Sequence, residues 1–129
     1  MHKTVVVTGG FQLLHKGHIN LLTEANKLGD VWVLLNDDEA LLRTKGYLAE
    51  PGHIRIQKLI ATRLVKKITI IGDDPTELLS QIKPDYQVCG SDHTIEEVMQ
   101  KGGQFVGKIV ILPYTEGICS RDLYKESKK

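Results

Sequence analysis

The residues of this chain best suited to chemistry are two histidines three positions apart, set among glycines in the stretch Gly9-Gly10-Phe11-Gln12-Leu13-Leu14-His15-Lys16-Gly17-His18. If a helix opens near Gly17, this spacing brings both imidazoles to one side of its first turn, where both reach one ligand. Glycines 9 and 10 let the backbone bend sharply and approach that ligand. The helix end adds unpaired N–H groups and the positive end of its dipole. Together these features read as an anion site, and two imidazole donors beside a helix N-terminus suit a polyphosphate. A metal pair is the rival reading, but two histidines without a nearby third ligand make an incomplete zinc set. The plain structural alternative is one histidine capping the helix and the other packed on the surface. Neither GxGxxG nor GxxxxGK[ST] occurs, which disfavours a dinucleotide-binding dehydrogenase and a P-loop ATPase.

Such a loop needs a scaffold, and short apolar runs alternating with helical patterns supply one. The strand candidates are Thr4–Thr8, Val31–Leu35, Ile68–Ile71, Tyr86–Cys89 and Lys108–Leu112. Each is continuous in apolar residues, as in strands buried on both faces. Helices are expected over His18–Leu28, closed by Gly29; over Ile54–Val65, with Ile56, Leu59, Ile60 and Leu64 on one face; over Thr76–Ile82; and over Thr94–Lys101, which opens with a capping box and ends at Gly102-Gly103. This order predicts an α/β fold: a single domain over residues 1–129 with a doubly wound, five-stranded, all-parallel sheet. In such a sheet the ligand crevice lies past the carboxyl ends of the strands, where the winding reverses. The segments to search are therefore TGGFQLLHKGH, NDDEALLRTKG, GDDP, CGSDH and PYTEGICSR.

Composition limits the alternatives. With 129 residues, 41% of them hydrophobic, the chain can bury a core of ordinary size. A net charge of +1 makes no case for a nucleic-acid or membrane partner. Its apolar runs fall far short of the roughly 18 residues a membrane span requires, so a cytoplasmic location is expected. Cys89 and Cys119 form no CxxC and read as small buried hydrophobes.

GGFQLLHKGHINLL resembles the GxFDxxHxGHxxxL signature of the cytidylyltransferase-like nucleotidyltransferases, and the likeness runs through nearly the whole chain. It is similar first to glycerol-phosphate cytidylyltransferases, through Lys27-Leu28-Gly29-Asp30, Asp37, the pair Arg55 and Arg63, and Thr115-Glu116-Gly117-Ile118. The adenylyltransferase domain of ADP-heptose synthesis comes next, through Arg43-Thr44-Lys45-Gly46, Lys83-Pro84-Asp85 and Gly90-Ser91-Asp92. The resemblance implies a Rossmann-like HxGH fold. It also implies transfer of CMP or AMP from CTP or ATP to a phosphorylated polyol or sugar, with pyrophosphate released, Mg²⁺ escorting the triphosphate, and a homodimer. By the same resemblance His15, His18 and Lys45 are the catalytic candidates. Thr8, Gly9, Gly10, Phe11, Gln12, Gly17, Arg55, Arg63, Gly90, Asp92, Thr115, Glu116, Gly117, Ile118 and Ser120 would surround the nucleotide, with Lys45 on a loop after strand two.

Three departures from the family pattern stand out. Gln12 occupies the place of an acidic residue, so a negative charge beside the phosphates is missing. Tyr114 replaces an arginine before Thr115, and Cys119-Ser120-Arg121 replaces a Ser/Thr pair. Arg121 is the candidate for restoring the lost cation from the start of a final helix, and is counted with the catalytic residues. A nucleotide-binding relative with weak catalysis, or an adenylyltransferase with another acceptor, would share the same histidines.

Overall fold

The computed structural model describes residues 3–91 and 93–112. Five parallel strands form one sheet: β1 (Thr4–Gly9), β2 (Asp30–Asn36), β3 (Lys67–Ile71), β4 (Tyr86–Cys89) and β5 (Lys108–Ile111), in the order β3-β2-β1-β4-β5. Around it lie α1 (Lys16–Leu28), α2 (Asp38–Lys45), α3 (Gly52–Ala61), α4 (Thr76–Ile82), α5 (Ile95–Gln100) and a 3₁₀ turn, Gly103–Phe105. The winding runs outward from β1 through β2 to β3, then returns to β4 on the other side of β1. That reversal is the switch point of a doubly wound sheet, as the alternating pattern predicts.

β-branched residues dominate β1, and their alternation feeds two cores. Val5 and Val7 pack with Leu22 and Ala25 of α1, Leu59 of α3, Val33 and Val88; Val6 packs on the opposite face with Leu34 and Leu79 of α4. The outer strands differ from expectation. β5 contains no fully buried residue, and Ile70 of β3 is 47% exposed, because each lies at a sheet edge with only one strand neighbour. Cys89 is buried at the end of β4.

Three helical expectations are corrected. α1 begins at Lys16, two residues before the expected start, because His15 caps it. α3 runs over Gly52–Ala61 rather than Ile54–Val65. Of the expected apolar stripe, Leu59 is fully buried and Ile56 and Leu64 pack against the same core, but Ile60 is exposed and Arg55 is completely buried instead. NDDEALLRTKG is not a loop but α2: Asp37 accepts the Ala40 amide at 2.7 Å as N-cap, and Gly46 closes the helix in the left-handed conformation. Lys45 is therefore the last residue of a helix. At α5 the Thr94 side chain accepts the Glu97 amide, as the capping pattern requires. No helix among the described residues is long and apolar enough to cross a membrane.

Candidate functional site

The chain leaves β1 at Gly9 and enters α1 at Lys16 through a loop beside the switch point, next to Gly90 after β4. The loop is strained and tightly held. Gly9 has φ 152°, and two non-glycine residues, Phe11 and Leu13, sit at φ 51° and 50°. A left-handed conformation costs a branched or bulky residue on the order of 1–3 kcal/mol, so the surroundings must impose it. Phe11 is 5% exposed and sets its ring 5.2 Å from that of His18. A Cβ at Gly10 would lie 2.6 Å from Leu41 Cδ2, so any side chain there requires the end of Leu41 to move.

Both histidines lie at the start of α1, with their rings stacked 3.8 Å apart at 21°. The Gly17 amide donates to His15 Nδ1 at 3.0 Å, and the His15 amide donates to His18 Nδ1 at 3.3 Å. Each ring thus caps the helix in a reciprocal pair resembling a capping box. The chemical consequence concerns the protons. With both Nδ1 lone pairs accepting from backbone, each neutral imidazole carries its hydrogen on Nε2 and acts there as a donor. Burial and the neighbouring His15 lower the His18 pKa to about 3, and burial lowers that of His15 as well. Capping, which the sequence offered as the alternative to function, here fixes the tautomer that function would use.

This arrangement suits an anion and opposes a metal: an Nε2 that carries hydrogen has no lone pair for a cation. Among the described residues no group of three or more His, Cys, Asp or Glu could hold a metal ion.

Arg55 sits beneath the loop, wholly buried. It donates through Nε to the Glu50 carbonyl (3.0 Å), through Nη1 to the carbonyls of Gly10 (3.0 Å) and Asn36 (2.7 Å), and through Nη2 to Asp38 Oδ1 (2.6 Å). These bonds make it a strut joining the ends of β1 and β2 rather than a cation presented to a phosphate. Gln12 is likewise internal. Its Oε1 accepts from the amides of Ala49 (2.6 Å) and Glu50 (3.3 Å), so it ties the loop to the segment before α3. Glu50 completes the junction, accepting the Leu13 amide on Oε1 at 2.6 Å and the Lys58 ammonium on Oε2. No motif or periodicity in the sequence points to Glu50.

The structure therefore gathers Thr8, Gly9, Gly10, Phe11, Gln12, His15, Gly17 and His18 along one stretch from the end of β1 to the first turn of α1, with Gly90 on the neighbouring strand's exit and Arg55 underneath. Lys45 is exposed at the end of α2. Arg63 is not part of the group: it follows α3 at φ 60°, near where the Lys66 amide meets the Val31 carbonyl at the amino end of β2. Asp92, Tyr114, Thr115, Glu116, Gly117, Ile118, Cys119, Ser120 and Arg121 lie outside the described residues. An open depression of about 450 Å³, bordered by Lys3, Lys83, Tyr86 and Lys108, lies at the amino end of β4 and β5, away from the histidines.

Proteins called "Bifunctional protein HldE" from Streptomyces coelicolor and Helicobacter hepaticus are 36% and 34% identical over 95% and 98% of this chain. The chain spans only 28% and 27% of those proteins, little more than a quarter of their length. A solved lipopolysaccharide core biosynthesis protein from Thermoplasma volcanium superposes with a TM-score of 0.74 at 27% identity, covering 90% of this chain and 100% of that one. Pantothenate synthetase from Thermus thermophilus, at 15% identity and a TM-score of 0.67 over 95% of this chain and 61% of that one, shares the fold alone. The family model described as cytidylyltransferase-like matches residues 6–116, from the middle of β1 through the histidine loop and across the sheet, and this chain belongs to that family.

Proposed function

We propose that the chain transfers AMP from ATP to a phosphorylated sugar, releasing pyrophosphate. The observation that carries this reading is the stacked His15–His18 pair, locked as two Nε2–H donors at the opening of α1. An acceptor phosphate oxygen would attack the α-phosphorus, forming a new P–O bond as the bond to the β-phosphate oxygen breaks and pyrophosphate departs with the electron pair. The acceptor is already a nucleophile, so the protein's task is alignment and stabilisation of oxygen charge that grows in the transition state. Neutral donors do this without taking part in proton transfer, and the rigid caps hold them in place beforehand. Lys45 is proposed as the mobile cation for the phosphates. Magnesium would arrive on the triphosphate, ligated chiefly by phosphate oxygens, and neutralise part of their charge.

Adenylyl transfer is favoured over cytidylyl transfer because the relatives called HldE fall on the adenylyl side of the resemblance carried by Arg43–Gly46 and Lys83–Asp85. A phosphorylated sugar fits the neighbour described as a lipopolysaccharide core biosynthesis protein. The test is pyrophosphate release with each of the four nucleoside triphosphates against glycerol phosphate and several sugar phosphates. ATP with a sugar phosphate should turn over fastest. Faster release from CTP with glycerol phosphate would return the reading to a cytidylyltransferase, and triphosphate binding without release would make the chain a binding protein. In the productive pairing, His18→Ala should lower turnover by a factor on the order of 10² with the far-UV circular dichroism unchanged. Near-native turnover would remove the histidines from the mechanism.

A further inference from the structure

The histidine loop is held from outside by a carboxylate that neither the motif nor the family comparison assigns. Glu50 is 7% exposed, and it lies 37 positions from Leu13, whose amide it accepts at 2.6 Å. Leu13 is one of the two non-glycine residues of this loop at positive φ, and His15, whose ring caps α1, follows two residues later. A charge-assisted bond from a backbone amide to a carboxylate is among the stronger ways to impose such a conformation. Glu50 is itself gripped on every polar side. Lys58 meets Oε2, Arg55 donates to its carbonyl, and its amide donates to Gln12, which also holds Ala49.

A buried negative charge this close to a loop that takes a polyphosphate opposes ligand binding by Coulomb repulsion. The Lys58 ammonium offsets the charge on the side away from Leu13, so Glu50 acts on the loop as an oriented acceptor rather than as a field on the ligand.

We propose that Glu50 is a positioning residue for the nucleotidyl-transfer site: by fixing the Leu13 amide it sets the path into α1 and so keeps His15 and His18 stacked in their Nε2–H tautomers. The inference rests on the function proposed above. Its test therefore combines turnover with a readout that needs no turnover, the tautomeric state of the two imidazoles followed by nitrogen-15 NMR in the intact chain.

Glu50→Ala should lower kcat at least about tenfold while the triphosphate KM moves less than about threefold, since misplaced donors lose transition-state contacts first. The same variant should blur the fixed Nε2–H pattern of both rings. Glu50→Gln retains an acceptor oxygen for Leu13 and should keep kcat within about threefold of the parent, with the parent's tautomers. A folded Glu50→Ala protein with parental kcat and tautomers overturns the proposal, as does a Glu50→Gln protein as impaired as Glu50→Ala. If Glu50→Ala does not fold, Glu50→Gln alone decides between these outcomes. If the parent chain transfers no nucleotide from any triphosphate, the proposed function fails, and the tautomer measurement still decides whether Glu50 sets the histidine pair.

Discussion

A histidine pair that stays neutral binds anions through oriented N–H dipoles rather than net charge, and this leaves a signature in pH. Above about pH 6.5 the His18 ring is uncharged in both the folded and unfolded chains, and its lowered pKa has no effect on stability. Between 6.5 and about 3 the unfolded chain binds a proton that the folded chain refuses. Stability should therefore fall with falling pH across that window, by up to about 1.4 kcal/mol per pH unit from this ring. His15 is shifted in the same direction by burial and adds to the slope. Urea midpoints measured from pH 7 to 5 should decline, and His18→Ala should flatten the decline. In the free protein kcat/KM should show no acid limb near 6.5 from these rings. A limb there that vanishes in His18→Ala would show that the working form is the imidazolium.

Elements carry their own constraints, and some were written in local sequence. The valine run of β1, the capping residues Thr94 and Asp37, and the glycines after α1 and α2 all mark real boundaries. α2 was readable from its acidic first turn, basic last turn and terminal Gly46, although expecting a binding loop there concealed it. Arg55 and Glu50 were not readable. Their burial depends on carbonyls and amides brought together only when β1, β2 and α3 assemble, and no periodicity records that meeting. The same holds for Gln12, whose Oε1 meets the Ala49 and Glu50 amides only in the assembled fold. Gly29 shows a further limit of local reasoning. It ends α1, yet its φ of 164° is ordinary extended backbone; what demands glycine is the Lys3 carbonyl oxygen, 2.2 Å from where a Cβ would stand. Gly29→Ala must push apart the backbones entering β1 and β2, at a cost of about 1–3 kcal/mol. A fall in Tm of several degrees is expected. A Tm within a degree of the parent would show that the α1–β2 turn yields freely.

At the scale of the whole molecule the sheet has a polarity, and it separates two arginines that the family resemblance places in one cluster. All strands run the same way, so the loops that leave them share one end: the histidine loop, Gly90 and the Asn36 carbonyl held by Arg55. α3 starts at that end, where Gly52 lies close to Asp38, and runs back for 10 residues, about 15 Å, to deliver Arg63 near the amino end of β2. Arg63 is exposed there, far from the histidine loop, so Arg63→Ala should leave the triphosphate KM within about twofold of the parent. Arg55→Lys should act through stability instead. A lysine keeps the charge but cannot reproduce the planar fan to three carbonyls and to Asp38, and each buried carbonyl left without its donor costs about 1–3 kcal/mol. Its loss of activity should track the loss of folded protein, with KM unchanged in the fraction that remains folded. If Arg63→Ala raised the triphosphate KM fivefold or more, the ligand would have to extend around the edge of α3. The carboxyl end of the sheet would then no longer account for the whole site.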